Sequence, residues 1–173
     1  MIESKIKIGG YFEVECFDAL GKLKWKDKAK NMWVMEGRDY LLTNIFKGGT
    51  PSDPLYIGLW KTEAAVEDTW AMANNGSTWH EDGTYDEVAR QEFVDGAIGG
   101  TTTRTVDNDA SKAVFTMSGT VTLKGAFLST NDTKLGTTGS LLCAAAFTEG
   151  DRAVVDNDVV NVKYTVGCAD DAV

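Results

Sequence analysis

A mainly β fold, a β-sandwich or jelly-roll-like domain with one short α-helix, follows from three features of the sequence. Runs in which polar and apolar residues alternate recur at strand length, turn-forming Gly, Asn, Asp and Thr separate them at short spacing, and only one stretch holds a helical period. At 173 residues the chain has the size of one domain and can bury a core without staples. A single domain over 1–173 is therefore expected, with an N-terminal arm and hairpin over 1–35.

The first element is the hairpin. Phe12-Glu13-Val14-Glu15-Cys16 alternates with period two, Asp18-Ala19-Leu20-Gly21 turns the chain, and Lys22-Leu23-Lys24-Trp25-Lys26 alternates again. Glu13 and Glu15 are expected across from members of the Lys22, Lys24, Lys26 row, where opposite charges stabilise a strand pair by about 0.2–1 kcal/mol each. A further strand is expected over 30–35. In 36–46, Tyr40, Leu41, Leu42, Ile45 and Phe46 fall at helical spacing, and Gly48-Gly49 supplies a stop. The run Leu55-Tyr56-Ile57-Gly58-Leu59-Trp60 reads as a buried strand. One or two helical turns are expected over 62–73 and a loop at Asn74-Asn75-Gly76-Ser77. Residues 78–93, rich in Trp, Tyr and acids, show no readable period, and 96–103 is a Gly/Thr loop. Strands are then expected over 113–117, 120–128, 140–147 and 159–166. Val106-Asp107-Asn108-Asp109 and Val155-Asp156-Asn157-Asp158 precede two of them at the same offset and read as Asx turns.

Charge and reactive residues narrow the function. A net charge of −9 argues against nucleic acid or an anionic membrane as partner, since both need a basic footprint. The charge is uneven: residues 1–47 carry nine Lys/Arg against seven Asp/Glu, leaving eight against nineteen in the rest. A mildly basic arm thus joins an acidic body, and it could help neighbouring copies or a larger assembly dock. The opening residues alternate instead of forming a basic and then apolar leader, so synthesis in a cytoplasm is expected. No apolar run reaches the length of a membrane span. Cys16, Cys143 and Cys168 are odd in number and dispersed, which fits neither a disulfide framework nor a zinc site.

His80 is the single histidine, and no nucleophile elbow accompanies it. An EF-hand counted from Asp107 would need Gly where Lys112 stands and Glu where Ser118 stands; counted from Asp156 it meets Asn161 and Gly167. Turn formation accounts for both clusters, with calcium held across loops as the alternative. Glu81, Asp82, Asp86, Glu87 and Glu92 near Trp79 and Tyr85 offer carboxylate pairs of the glycoside-hydrolase kind. In so acidic a chain such neighbours arise by chance. No catalytic, cofactor-binding or metal-binding residue is assigned, and the chain is not expected to be an enzyme.

Several segments together resemble small virion proteins of tailed bacteriophages. They are the hairpin with Lys30-Asn31-Met32-Trp33-Val34, then Gly37-Arg38-Asp39-Tyr40-Leu41-Leu42 with Phe46-Lys47-Gly48-Gly49, then Tyr56-Ile57-Gly58-Leu59. Asp109-Ala110-Ser111-Lys112-Ala113-Val114-Phe115-Thr116, Lys124-Gly125-Ala126-Phe127-Leu128 and Asp156-Asn157-Asp158-Val159-Val160-Asn161-Val162-Lys163-Tyr164-Thr165 complete the set. Residues 63–100 depart most from the pattern. The resemblance implies a capsid decoration or cement subunit, made in the host cytoplasm and placed on the capsid exterior. It implies a homotrimer touching the major capsid protein, without cofactor. On this reading Lys5, Lys7, Lys22, Lys24 and Lys26 of the arm and hairpin contact the shell. The alternative is a tail or receptor-binding fibre module, in which Trp60, Trp70, Trp79 and Tyr85 stack on sugars instead of filling a core.

Overall fold

The structure, a computed structural model, describes residues 6–63 and 65–170. In chain order the elements are β1 (Ile6–Phe17), β2 (Leu23–Lys30), β3 (Met32–Trp33), α1 (Met35–Phe46), β4 (Tyr56–Lys61), β5 (His80–Asp82) and β6 (Gln91–Glu92). There follow β7 (Arg104–Asp107), β8 (Ala113–Thr116), β9 (Val121–Leu123), β10 (Gly125–Ser129), β11 (Leu141–Ala146), β12 (Arg152–Val154) and β13 (Val159–Asp170). The fold is mostly antiparallel β with one helix, a sandwich-like domain.

The first sheet runs β2-β1-β13-β7, with β8 also on β13; the second runs β3-β11-β10-β4-β5, with β6 on β4. Alternation dictates what lies between them. Phe12, Val14 and Cys16 of β1 and Val160, Val162 and Tyr164 of β13 point inward and pack with Ile57, Leu59, Ala126, Leu128, Cys143 and Ala145 of the second sheet. Each large side chain buried in this way contributes about 1.5–3 kcal/mol. Phe12 and Tyr164 stack with ring centroids 4.4 Å apart.

The second sheet is buried on its other face too, which explains the unbroken apolar runs of β10 and β11. Trp60, Trp70, Met72, Trp79, Phe127, Leu141 and Ala144 form a second core there. Trp70 stands edge-on to Trp60 at 5.1 Å and stacks on Trp79 at 5.5 Å, and Trp79 meets Phe127 edge-on at 5.1 Å. Gly58, across from Phe127 in the register, is what lets that ring lie flat: a Cβ there would come within 2.2 Å of it.

Several expectations are corrected. Among the described residues of 62–73 there is no α-helix; a 3-10 turn, Met72–Asn74, closes the segment. Val66, Trp70 and Met72 cover the second sheet and follow its surface rather than a helical period. The strand expected over 30–35 shrinks to β3, because Lys30 ends in one sheet and Met32 starts in the other. Asn31 sits at the crossing, where its N–H donates to the Gly10 carbonyl and its Nδ2 to the Tyr164 hydroxyl at 2.9 Å. The span 120–128 divides at Lys124, with β9 pairing β12 and β10 pairing β4 and β11. β7 and β12 had no sequence signal.

Candidate functional site

The hairpin carries the charged face that the sequence singled out. Its register sets Glu15 across from Lys26, within the expected row, and Glu13 across from Lys28, one step beyond it. Lys28 reaches Glu13 at 3.3 Å, while Glu15 is met instead by Lys112 at 3.3 Å. Lys24 leaves the row: its ammonium pairs with Asp158, whose carboxylate is almost wholly buried. That carboxylate also accepts from Val155 N–H at 2.8 Å, so Lys24 fastens the hairpin to the turn before β13. Lys22 and Lys26 stay exposed on the hairpin, and Lys7 is exposed on β1. Lys5 lies outside the described residues.

The acidic and aromatic segment does structural work. Glu81 and Arg90 form an ion pair with both side chains fully buried. Arg90 Nε donates to Glu81 Oε1 at 2.9 Å and Nη2 to Oε2 at 2.7 Å, while Nη1 and Nη2 also donate to the carbonyls of Asn131 and Gly136. Glu81 takes further bonds from Asn75 Nδ2 at 3.0 Å and Leu135 N–H at 2.9 Å. Burial drives its carboxyl pKa upward, against the pull of Arg90 and those donors. Asp82, also fully buried, holds Lys61 at 3.0 Å and the Thr84 hydroxyl at 2.9 Å. Glu87 accepts Thr116 N–H at 3.0 Å on the edge of β8. Carboxylates engaged in this way tie loops 72–93 and 131–136 to the sheet.

The residues proposed as sugar platforms are core: Trp60, Trp70, Trp79 and Tyr85 are at most 2% exposed. The density of aromatics was legible, and their inward direction follows from their place over the second sheet. His80 Nδ1 lies 2.6 Å from Glu63, whose other oxygen accepts the His80 N–H. Burial lifts the Cys16 thiol to about 12, with Asp158 adding to it, and lifts that of Cys143 to about 11. Both thiols are thus held in their unreactive form at neutral pH.

The Asp-Asn-Asp turns use their side chains on the backbone. Asn108 Oδ1 accepts Tyr164 N–H at 2.7 Å and its Nδ2 donates to the Val162 carbonyl at 3.2 Å, while Asp107 accepts Asp109 N–H at 3.0 Å. In the second turn Asn157 takes positive φ, at 65°. Among the described residues no group of three or more His, Cys, Asp and Glu could hold a metal ion.

Helix α1 supplies what the sequence missed. Its one buried residue is Gly37, which rests on β11 so closely that a Cβ would come within 1.9 Å of the Leu142 carbonyl. At about 100° per residue, Leu42 and Phe46 lie about 140° and 180° around the helix from Gly37. They are 55% and 76% exposed, with Ile45 and Met35 also uncovered. Of the apolar residues at helical spacing, Tyr40 packs against the core, whereas Leu42, Ile45 and Phe46 point outward. A glycine in the first turn, marking the contact face, was the available signal. A second uncovered apolar stretch lies at the start of β1, where Ile6 and Ile8 continue the inward row of Phe12 and Val14 past the second sheet.

No described helix is long and apolar enough to cross a membrane. Comparison with protein-family models, with curated proteins and with solved structures finds no match to this chain.

Proposed function

We propose that the chain is a contact-making structural subunit of a tailed-phage virion, a decoration or cement protein on the capsid exterior. The observation that supports this reading is the uncovered apolar row of α1, Met35, Leu42, Ile45 and Phe46. Exposed apolar clusters of this kind mark surfaces that other proteins cover. The chain's buried carboxylates and thiols are engaged in holding loops or suppressed by burial, which leaves shape and surface as its working parts. A cement subunit needs no more, because lattice symmetry repeats each small contact many times.

On this reading the subunit is made in the host cytoplasm, forms a homotrimer and touches the major capsid protein. The exposed Lys7, Lys22 and Lys26 add polar contacts at the rim. The test compares complete particles with particles stripped of the chain. Stripped particles are expected to lose their DNA at lower temperature, and adding back the wild-type chain restores them. A Leu42→Asp, Phe46→Asp double variant, folded by its circular dichroism, is expected not to restore them. Equal heat resistance of stripped and complete particles contradicts the cement role. A handful of copies per particle would point to the tail or fibre alternative.

A further inference from the structure

The core between the two sheets is open at one end. Val106 of β7 and Val166 of β13 are paired across the first sheet, and Val166 continues the inward row of Val162 and Tyr164. With Leu128 of β10, Trp33 of β3, Leu55 and Phe93 from the second sheet's side, they wall a cleft of about 340 Å³. Leu128 and Phe93 belong to the buried core, whereas Trp33, Leu55, Val106 and Val166 pack against it and are only partly covered.

The mouth of the cleft has a different chemistry. Phe93 N–H donates to the Leu55 carbonyl at 2.8 Å, which carries the β4–β6 pairing one step past Tyr56 and Glu92. Two residues beyond, on either segment, stand Asp53 and Asp95, both exposed and both lining the same cleft. Carboxylates gathered in this way repel each other, and a cation beside them relieves the repulsion. Among the described residues no lysine or arginine lines the cleft. Arg38, which donates to the Trp33 carbonyl at 2.7 Å, is engaged by Asp68. Burial and the carboxylates of Asp132, Glu92 and Asp53 raise the pKa of Tyr56, so the flank beside the mouth is acidic as well.

We propose that this cleft is a binding site for a small organic cation, an aliphatic ammonium whose apolar tail lies between the sheets and whose charge rests on Asp53 and Asp95. Recesses of this size with apolar walls and a few polar groups in fixed places suit small molecules. The order of the lining, apolar inside and acidic at the rim, selects the source of the cation. A lysine or arginine side chain of another protein would enter head first and set its charge among apolar walls, where a charge is costly. An alkylamine enters tail first and matches both zones. The net charge of −9 attracts such a ligand and disfavours its anionic counterpart, a fatty acid. Binding here is independent of whether the chain sits on particles.

The test titrates the full chain, ¹³C-labelled at its methyl groups, with hexylammonium chloride and follows Leu55, Val106, Leu128 and Val166. Saturable shifts of these methyls are expected, with a dissociation constant on the order of 1 mM. Hexanol, equal in length but uncharged, is expected to bind about fivefold more weakly, and hexanoate more weakly still. Raising the salt to about 0.5 M is expected to remove most of the gap between amine and alcohol. Asp53 and Asp95 are exposed, so the Asp53→Asn, Asp95→Asn variant is expected to keep its fold and to bind hexylammonium no better than hexanol. Nα-acetyl-lysine methylamide is expected to bind about tenfold more weakly than hexylammonium. Unmoved methyls overturn the site. Equal binding of hexanol and hexylammonium, or undiminished amine binding by the double variant, overturns the cationic ligand; equal binding of the lysine amide overturns the tail-first order.

Discussion

Arg90 has every guanidinium nitrogen engaged inside the protein, on Glu81 and on the carbonyls of Asn131 and Gly136. Removing one partner of such a pair leaves a buried charge with no counterpart, which costs about 3–5 kcal/mol. Arg90→Met is accordingly expected to lower the urea midpoint by that equivalent, and a loss below about 1 kcal/mol would show that the pair does not pin the loops. Asp27 gives a pH-dependent counterpart. Burial pushes its carboxyl pKa up, but the N–H groups of Thr148 and Glu149, the Thr148 hydroxyl and Arg152 outweigh burial and hold it below the ordinary value. A depressed folded pKa means stability that is complete above the unfolded value of about 3.9 and lost as pH falls toward the folded one. Asp27→Asn is expected to be less stable than wild type at pH 7, with a gap that narrows at pH 3. A gap that stays constant between the two in urea melts would sink the assignment. Neither pair could be read from the sequence, because Glu81 and Arg90 or Asp27 and Arg152 meet only once the loops have closed.

At the scale of elements, Gly37 separates two expectations of opposite sign. Replacing a helical glycine by alanine ordinarily stabilises by about 1 kcal/mol. Here the added Cβ meets the Leu142 backbone, so Gly37→Ala is expected to destabilise, and a rise in melting temperature would show that α1 does not rest on β11. The elements themselves were legible where one rule governs them. Period-two alternation located the hairpin and β13, and helical spacing located α1 within one residue of its start at Met35. The direction of the α1 stripe was not legible, since periodicity reports that a helix has an apolar face but not what covers it. Residues 65–93 were opaque for another reason: Trp70, Met72 and Trp79 lie over the second sheet while β5 and β6 pair with β4 inside it, and the segment has no single period to display. The two-sided burial of β10 and β11 had left a trace, an apolar run without alternation, but it does not say which segment supplies the second layer.

For the whole molecule, the sandwich pairs its buried carboxylates and buries Cys16 and Cys143, and among the described residues it leaves apolar side chains exposed on α1 and at the start of β1. Their joint meaning is the claim on which the functional proposal turns: these surfaces are built to be covered by other proteins. The phage setting comes from the resemblance of strand and turn segments, whereas the uncovered surfaces come from the fold. An electron-microscopy map of the intact particle at side-chain resolution tests both together. The account predicts the chain on the outside of the capsid in many copies, with Leu42, Ile45 and Phe46 buried against a neighbouring subunit. A map in which α1 faces solvent in every copy, or in which the chain is missing from the particle, would contradict it.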